Sequence, residues 1–469
     1  MIPTPFPRLV EPVPPRVHPS SRPTLPRTSL ALLHLLGFLA LTAFQSPAAE
    51  LLLLHGATVH PVTAPVLTNA SVLIRDGRIA AVGTEIEEPG ARSIDLHGLH
   101  LYPGLIAPST VLGLIEVDAI RATRDTTEVG EFTPDVYAWM AVNPDSELIP
   151  VARANGFTHA QAIPLGGVVS GWSAAIALDG WTIEDMARMR TAGLHVFWPE
   201  FTLDTTPRER SPSRDKWKSI EDQVKERDRK LKALDDFFHD AEAYAHARDG
   251  APTNGFRRIP AWESMLPAVR RERPLFIHAD EHRQIRSAIE WAARRKYRMV
   301  LAGGRDAWRS ADSLATNQVT VIYENVFTAP PRDVDPYDLQ FAAPAILARA
   351  GLHVAFSEGS DRFSASNVRN APYAAAQAVA FGLPREEALR GLTLYPAQVL
   401  GMGDRLGSIE AGKEAAMFAA TGDILESENR INAIARDLVN HYVDNILPNG
   451  FKAQVVCHSK LACIRYKNG

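Results

Sequence analysis

Two histidines and a glutamate lie close together in one short segment of the chain. His278-Ala-Asp-Glu281-His282 fits the pattern H-x-x-E-H, which in one class of zinc proteases puts both histidines on one face of a helix. However, His278 ends the apolar run Leu275-Phe-Ile, which has the length and composition of a buried β-strand. A histidine that ends a strand need not share a helix face with a histidine of the next element. We therefore expect no protease site of this type.

Two glycine-containing segments are candidates for ligand-binding loops. Gly407-Ser-Ile-Glu-Ala-Gly412-Lys413-Glu414 fits G-x4-G-K, but Glu414 stands where a nucleotide-binding loop needs a serine or threonine for magnesium. A carboxylate there would repel phosphates, so we expect no nucleotide site. The segment Gly166-Gly167-Val-Val-Ser170-Gly171 could present backbone N–H groups to a ligand. A simple tight turn explains it equally well.

The elements that must position such residues follow a regular order. Between residues 101 and about 400, apolar β-like runs alternate with helical stretches, for example strand 275–278, helix 284–295 and strand 299–302. This alternation over some 300 residues predicts parallel βα units of an α/β fold, the size of a (β/α)8 TIM-like barrel. Residues 51–100 read instead as short strands, with Asp76-Gly77 as a hairpin turn.

Charge and cysteine content exclude several classes of protein. The chain has 469 residues, a net charge of −4 and two cysteines. This balance gives no electrostatic reason to expect nucleic acid or an anionic membrane as a partner. Two cysteines cannot form a disulfide framework or a four-cysteine zinc site. The charge-dense segment 207–249 has opposite charges at i,i+4 spacing, which predicts an exposed helical insertion.

The first 49 residues predict a proline-rich prefix followed by a signal peptide. An apolar run at residues 29–44 follows Arg22 and Arg27 and precedes small residues that end in Ala48-Ala49, the pattern of a secretory signal. The run is shorter than the roughly 20 residues needed to span a bilayer, although an uncleaved anchor or a buried helix are the alternatives. We therefore expect an exported, periplasmic or extracellular bacterial protein without a stable membrane span after cleavage.

Residues 50–427 resemble the metal-dependent amidohydrolase superfamily, and within it the imidazolonepropionase-like branch. The resemblance rests on His55-Gly56-Ala57-Thr58-Val59, Ile74-Arg-Asp-Gly77-Arg-Ile-Ala-Ala-Val-Gly83, Gly98-Leu-His-Leu-Tyr102-Pro103-Gly104-Leu-Ile106 and Gly407-Ser-Ile-Glu-Ala-Gly412-Lys413. It implies a barrel at 101–395 and a small composite β-sandwich built from the flanks 50–100 and 396–427. It also implies hydrolysis of a non-peptide C–N bond, in an amide or cyclic amide of a small-molecule substrate. An oligomer is compatible with this assignment.

The resemblance also implies a divalent metal, but several of the family's ligands are replaced. In the family the first strand ends in Pro-Gly-Leu-Ile-Asp-x-His-x-His. In this chain Ala107 replaces the acid, and Ser109 and Val111 replace both histidines. The sixth strand, which in the family usually ends in a histidine, reads Val300-Leu-Ala-Gly303. We therefore expect a reduced or rearranged metal site.

Two ordinary ligands remain on the family's pattern. His278 matches the histidine of the fifth strand, and Asp361, in Phe356-Ser-Glu-Gly-Ser-Asp361, matches the aspartate after the last strand. The resemblance implies that both are catalytic, Asp361 as proton shuttle, and that they hold a metal with Glu116 as a substitute ligand. Zinc is the expected metal, bound weakly or not at all, because catalytic zinc typically has three protein ligands. The alternative is a non-catalytic ligand-binding protein on the same barrel. Glu358 is a further candidate, or a solvated loop charge.

Residues 428–469 differ from the rest of the chain. They contain both cysteines, Cys457 and Cys463. Segments such as Ile446-Leu-Pro-Asn-Gly450-Phe-Lys-Ala-Gln-Val-Val-Cys457 resemble a short fragment of the motor subunit of type I restriction enzymes, at the start of its second helicase lobe. The fragment is too short to bind ATP or move DNA. We expect it to be foreign to the fold and without function.

Overall fold

The computed structural model describes residues 51–250, 256–361 and 363–425. The predicted signal peptide and the helicase-like fragment lie outside the described residues, so both stay predictions. No helix among those ranges is long and apolar enough to cross a membrane.

The amino-terminal residues form a sheet domain that also takes a strand from the end of the described chain. Its strands are β1 (Leu51–Val59), β2 (Leu67–Arg75), β3 (Arg78–Gly83), β4 (Arg92–Asp95), β5 (His100–Pro103) and β14 (Met417–Ala420). They pair in the order β14-β5-β1-β2-β3, with β4 also on β1. The predicted hairpin turn at Asp76-Gly77 is confirmed, because both residues have positive φ, 51° and 73°, as a type I′ turn requires.

A second sheet of eight strands forms the barrel. These are β6 (Leu105–Thr110), β7 (Phe157–Ala162), β8 (Val169–Ala177), β9 (Ala187–Phe197), β10 (Leu275–Ala279), β11 (Met299–Gly303), β12 (Thr320–Tyr323) and β13 (Val354–Phe356). They pair strictly in chain order. The ends of the sheet meet where Ser357, just after β13, donates a 2.8 Å hydrogen bond to the carbonyl of Ser109 on β6. The predicted TIM-like barrel fold is confirmed.

The prediction of parallel βα units throughout is wrong for one part of this barrel. Strand β8 is antiparallel to both β7 and β9. Strand β8 runs antiparallel because the connection before it is short. Only residues 163–168 join β7 to β8, whereas a parallel crossover needs a dozen or more residues. Gly166 and Gly167, both at positive φ, turn the chain there. The N–H groups of Val168 and Val169 donate to the carbonyl of Glu131, so this segment is a turn.

Helices cover the outside of the barrel. They are α1 (Leu148–Ala154), α2 (Ile183–Met186), α3 (Ile220–Gly250), α4 (Pro260–Val269), α5 (His282–Arg295), α6 (Ala311–Thr316), α7 (Leu339–Arg349), α8 (Ala371–Ala380), α9 (Arg385–Leu392) and α10 (Leu394–Val399). Because these helices shield the strands, β10 and β11 are buried at every residue, as apolar parallel strands require.

The charged segment is not an exposed insertion, although it is helical as predicted. Helix α3 begins at Ile220 and buries Leu234, Phe238, Ala241 and Ala245, which follow each other at three- and four-residue spacing along one face. Phe238 packs edge-on against Trp291 of α5, at 4.9 Å between ring centroids. The charges therefore occupy the outer faces of a helix that belongs to the barrel wall.

Lys413 of the nucleotide-loop-like motif is a structural residue. Its Nζ donates to the carbonyl of Gly403 at 2.7 Å and to the hydroxyl of Ser408 at 2.6 Å. A buried ammonium held in this way binds the chain's own backbone and is not available to a phosphate.

Candidate active site at the carboxyl ends of the barrel strands

A cavity of about 470 Å³ opens at the carboxyl ends of β9 to β12. Active sites of barrels of this kind are built at this end. Its lining includes Phe197, Trp198, His278, Asp280, Arg305 and Glu324.

The turn from β10 to α5 forms one wall of the cavity and is held by a capping box. Glu281 is the N-cap of α5, and Gln284 accepts hydrogen bonds from the N–H groups of Asp280 and Glu281. Gln284 also donates to the carbonyl of Trp198 at 2.7 Å. His278 thus lies in strand β10 while His282 begins helix α5, so the two histidines do not share a helix face.

His278 forms a buried pair with His195 of β9. Nδ1 of His195 lies 2.9 Å from Nε2 of His278, and each ring stacks on a phenylalanine, His195 on Phe276 and His278 on Phe197. Burial lowers the pKa of His278 to about 3 and, with the neighbouring His278, holds that of His195 well below its usual value. Both rings are therefore neutral at neutral pH.

The hydrogen-bond network assigns the protons of this pair. Ser173 donates to the carbonyl of Gly193 at 3.1 Å, so its oxygen accepts from Nε2 of Gln161 at 2.8 Å. The same amide nitrogen lies 3.4 Å from Nε2 of His195, which then accepts. His195 donates from Nδ1 to Nε2 of His278, and the proton of His278 is on Nδ1.

Glu324, the residue after β12, supplies a buried carboxyl group. Its Oε1 is shielded from water and has no hydrogen-bond partner in the described part of the chain. Burial raises the pKa of Glu324 to about 8, the carboxylates of Asp280 and Asp361 add to the rise, and the Ser109 hydroxyl opposes it. Glu324 therefore carries a proton at neutral pH and can donate it.

A gap next to Gly359 separates Glu324 from Asp361. A Cβ atom at Gly359 would lie 4.0 Å from Oε2 of Glu324 and 3.9 Å from Oδ2 of Asp361. The glycine, at φ +99°, leaves this space open between the two carboxyl groups. Asp361 itself is exposed, and its Oδ1 accepts a 2.7 Å hydrogen bond from the N–H of Phe363.

The structure brings only some of the predicted site residues together. His278 lines the cavity, and Asp361 faces the same gap as Glu324. Glu116 lies on the loop after β6, where it accepts a 3.2 Å hydrogen bond from Asn143, and it is not among the cavity-lining residues. Glu358 is partly buried, and burial raises its pKa to about 7.

Sequence reasoning missed His195 and Glu324. Glu324 could have been found from its position, because it directly follows the apolar run that ends at Tyr323 and barrel active sites use residues at the carboxyl ends of strands. His195 gave no such signal, since it lies inside β9 and meets His278 only through the pairing of β9 with β10.

Among the described residues, no group of three potential metal ligands converges at the barrel end. In the described ranges, only His55, Asp95 and His97 in the sheet domain bring three ligand atoms within 4.8 Å of one another. At the family's first-strand positions the structure has Ser109 and Val111, both buried, and Nε2 of His278 is engaged by His195. These donors do not fit a zinc ion with three protein ligands.

Comparisons with known proteins agree with this architecture. The sequence profile of the amidohydrolase family matches residues 170–450, more than half of the chain. A solved amidohydrolase from Thermotoga maritima MSB8 superposes with a TM-score of 0.69 at 25% identity, covering 80% of this chain and 95% of that one. D-hydantoinase from Geobacillus stearothermophilus is 43% identical over 53 residues, which is 11% of either chain, so the match spans about a tenth of that enzyme. The chain belongs to the amidohydrolase family.

Proposed function

We propose that the protein hydrolyses an amide or cyclic amide C–N bond of a small molecule, without a three-ligand metal centre. The observation that carries this proposal is the buried, protonated Glu324 beside Asp361 and the cavity that His278 lines. A carboxyl group that burial keeps protonated at neutral pH can act as a general acid. The D-hydantoinase similarity favours cyclic amides in particular.

Each group has a place in the reaction. Asp361 takes a proton from water as the water oxygen adds to the carbonyl carbon, while Nδ1–H of His278 donates a hydrogen bond to the carbonyl oxygen. Glu324 then gives its proton to the leaving nitrogen, and the C–N bond breaks. The proton on Asp361 returns to Glu324 through solvent, which restores the starting state.

We propose that a divalent ion, zinc first, binds the barrel end weakly or not at all. Only His278 and Asp361 match the family's ligands, and Glu116 would have to leave its hydrogen bond with Asn143 to join them. For this reason no step above requires a metal.

Arg305 supports a preference for an anionic substrate. It lines the cavity, and its buried Nε has no hydrogen-bond partner in the part of the chain that the structure describes. A guanidinium group pairs with carboxylates in two-pronged geometry. We therefore propose substrates that carry a carboxylate next to the amide.

Further parts of the proposal rest on sequence. The apolar run at 29–44, with small residues after it, supports export to the periplasm or the outside of a bacterial cell. The segment Ile74-Arg-Asp-Gly77-Arg-Ile-Ala-Ala-Val-Gly83 supports the imidazolonepropionase-like branch.

A second candidate is a ligand-binding protein that does not catalyse. It is favoured by Val111 at a family ligand position, because a valine side chain cannot bind a metal, and by the retained cavity.

Hydrolysis assays on chelator-treated full-length protein separate these candidates. The panel contains hydantoins, dihydropyrimidines and N-acyl amino acids. Each compound that carries a carboxylate is compared with the corresponding neutral amide. We expect turnover of at least one carboxylate-bearing compound, reduced at least about 100-fold in Glu324→Gln. The exposed Glu290→Gln on α5 serves as control.

Two results would contradict hydrolysis of this kind. Saturable binding without turnover would identify a binding protein, and turnover that appears only after a metal is added would contradict the metal-free mechanism. If Arg305→Met loses activity equally on acids and on neutral amides, the carboxylate preference is wrong.

A further inference from the structure

Three potential ligands converge on the sheet domain, in a place that the proposed hydrolysis does not use. His55 on β1 and Asp95 on β4 are register partners in parallel strands, so their side chains leave the same face of the sheet. His97 follows two residues later. Nδ1 of His55 lies 4.0 Å from Oδ1 of Asp95, and Nδ1 of His97 is in direct contact with the same oxygen.

The backbone holds the His97 ring in this position. Gly56, next to His55, has φ +79°, and a Cβ atom there would lie 2.4 Å from Nδ1 of His97. Only glycine leaves room for the ring. Asp95 also accepts a 2.9 Å hydrogen bond from the N–H of His97, which fixes the carboxylate between the two rings.

The cluster is open to solvent. The exposed fraction of the side chain is 35% for His55, 61% for His97 and 65% for Asp95. The cluster is thus an open set of two imidazoles and one carboxylate.

We propose that His55, Asp95 and His97 bind a divalent transition-metal ion such as Zn²⁺, with water in the fourth position. Imidazole nitrogen and carboxylate oxygen are ordinary zinc ligands, and three protein ligands plus water is a common set. The ligand atoms lie within 4.8 Å of one another, whereas tetrahedral zinc needs separations of about 3.3 Å. Binding would therefore bring His55 closer to Asp95 and lengthen the contact between His97 and Asp95, through small rotations of these side chains. The site is independent of the barrel cavity and of the hydrolysis proposed there.

A second histidine pair in the same sheet provides a matched control. Nε2 of His60 lies 2.9 Å from Nδ1 of His100. Burial, followed by the neighbouring His100 and Arg385, lowers the pKa of His60 to about 4. The positive charge of Arg385 would repel a cation there. His100→Ala should therefore leave zinc binding unchanged.

Competition with a chromogenic chelator tests the proposal on the full-length, metal-stripped protein. Wild type, His100→Ala and the barrel variant His278→Ala should each bind one equivalent of zinc. Asp95→Asn and His97→Ala should bind it more than about tenfold more weakly. Zinc should raise the melting temperature of the wild type in a concentration-dependent way but not that of Asp95→Asn, and the metal-free melting temperatures of both should agree.

Three outcomes would overturn the proposal. Wild-type protein that takes up no zinc would show that the contacts are only a local turn. Equal affinity in wild type, Asp95→Asn and His97→Ala would place the metal elsewhere. Loss of zinc in His278→Ala or His100→Ala alone would place it in the barrel or at the second pair.

Discussion

The raised pKa of Glu324 makes the stability of the protein depend on pH in a specific way. Its ordinary pKa is 4.5 and its folded-state pKa is about 8. Between these two values the unfolded chain has released the proton while the folded protein keeps it. The folded state therefore binds more protons, and stability falls as pH rises through this window. Glutamine at this position is neutral in both states and has no such dependence.

The magnitude follows from the size of the shift. At 1.36 kcal/mol per pKa unit, the ionisable Glu324 should cost the folded state about 3.5 kcal/mol more at pH 8 than at pH 5. The residue as a whole is partly exposed, although its Oε1 is shielded from water, so solvent screening reduces the expected difference to about 2–3 kcal/mol. Glu324→Gln should thus gain that much stability relative to wild type between pH 5 and pH 8.

Urea unfolding of both proteins at pH 5, 6, 7 and 8 measures this gain. Glu290→Gln, which removes an exposed carboxyl group on α5, corrects for the change in net charge. If wild type and Glu324→Gln have parallel stability profiles over this range, Glu324 is ionised in the folded protein and the acid assigned to the reaction does not exist.

Three further substitutions test the packing that supports the site, each by urea unfolding. Ser357→Ala should lower the free energy of unfolding by about 1–2 kcal/mol, because it removes the hydroxyl that donates to the first barrel strand and accepts from a backbone N–H. The control Ser366→Ala, at an exposed position, should change it by less than about 0.5 kcal/mol. Equal effects of the two substitutions would show that Ser357 does not join the two ends of the barrel sheet. Phe238→Ala should lower the free energy of unfolding by about 3–5 kcal/mol, since the ring is fully buried. A change below about 0.5 kcal/mol would show that α3 is an exposed insertion. Lys413→Met should cost about 2–3 kcal/mol by leaving buried carbonyls unpaired, and an unchanged midpoint would contradict this structural role.

Local sequence patterns predicted the elements that depend on local chemistry. The apolar runs around His278 and at 299–302 became β10 and β11, and helix 284–295 became α5 with only two more residues at its start. Such strands are bounded by burial and by turn residues, which are visible in one dimension.

The remaining features depend on what the chain places together in three dimensions. Strand β8 is antiparallel because the connection from β7 is short, and the alternation of apolar and helical segments does not indicate strand direction. His195 reaches His278 because β9 and β10 pair with His195 opposite Phe276, and no spacing in the sequence encodes that register. The pKa of Glu324 depends on burial and on carboxylates from two other segments. For these reasons the sequence alone proposed His278 and Asp361 as site residues, but not Glu324.

The pH dependence of kcat/KM for the compound hydrolysed best, measured on chelator-treated protein, shows whether Glu324 is the acid of the reaction. The falling limb reports the essential acid of the free enzyme, so kcat/KM should decline with a midpoint near pH 8, where Glu324 loses its proton. A value of kcat/KM that continues to rise through pH 9, or activity that needs added metal at every pH, would rule out Glu324 as the acid of a metal-free hydrolysis.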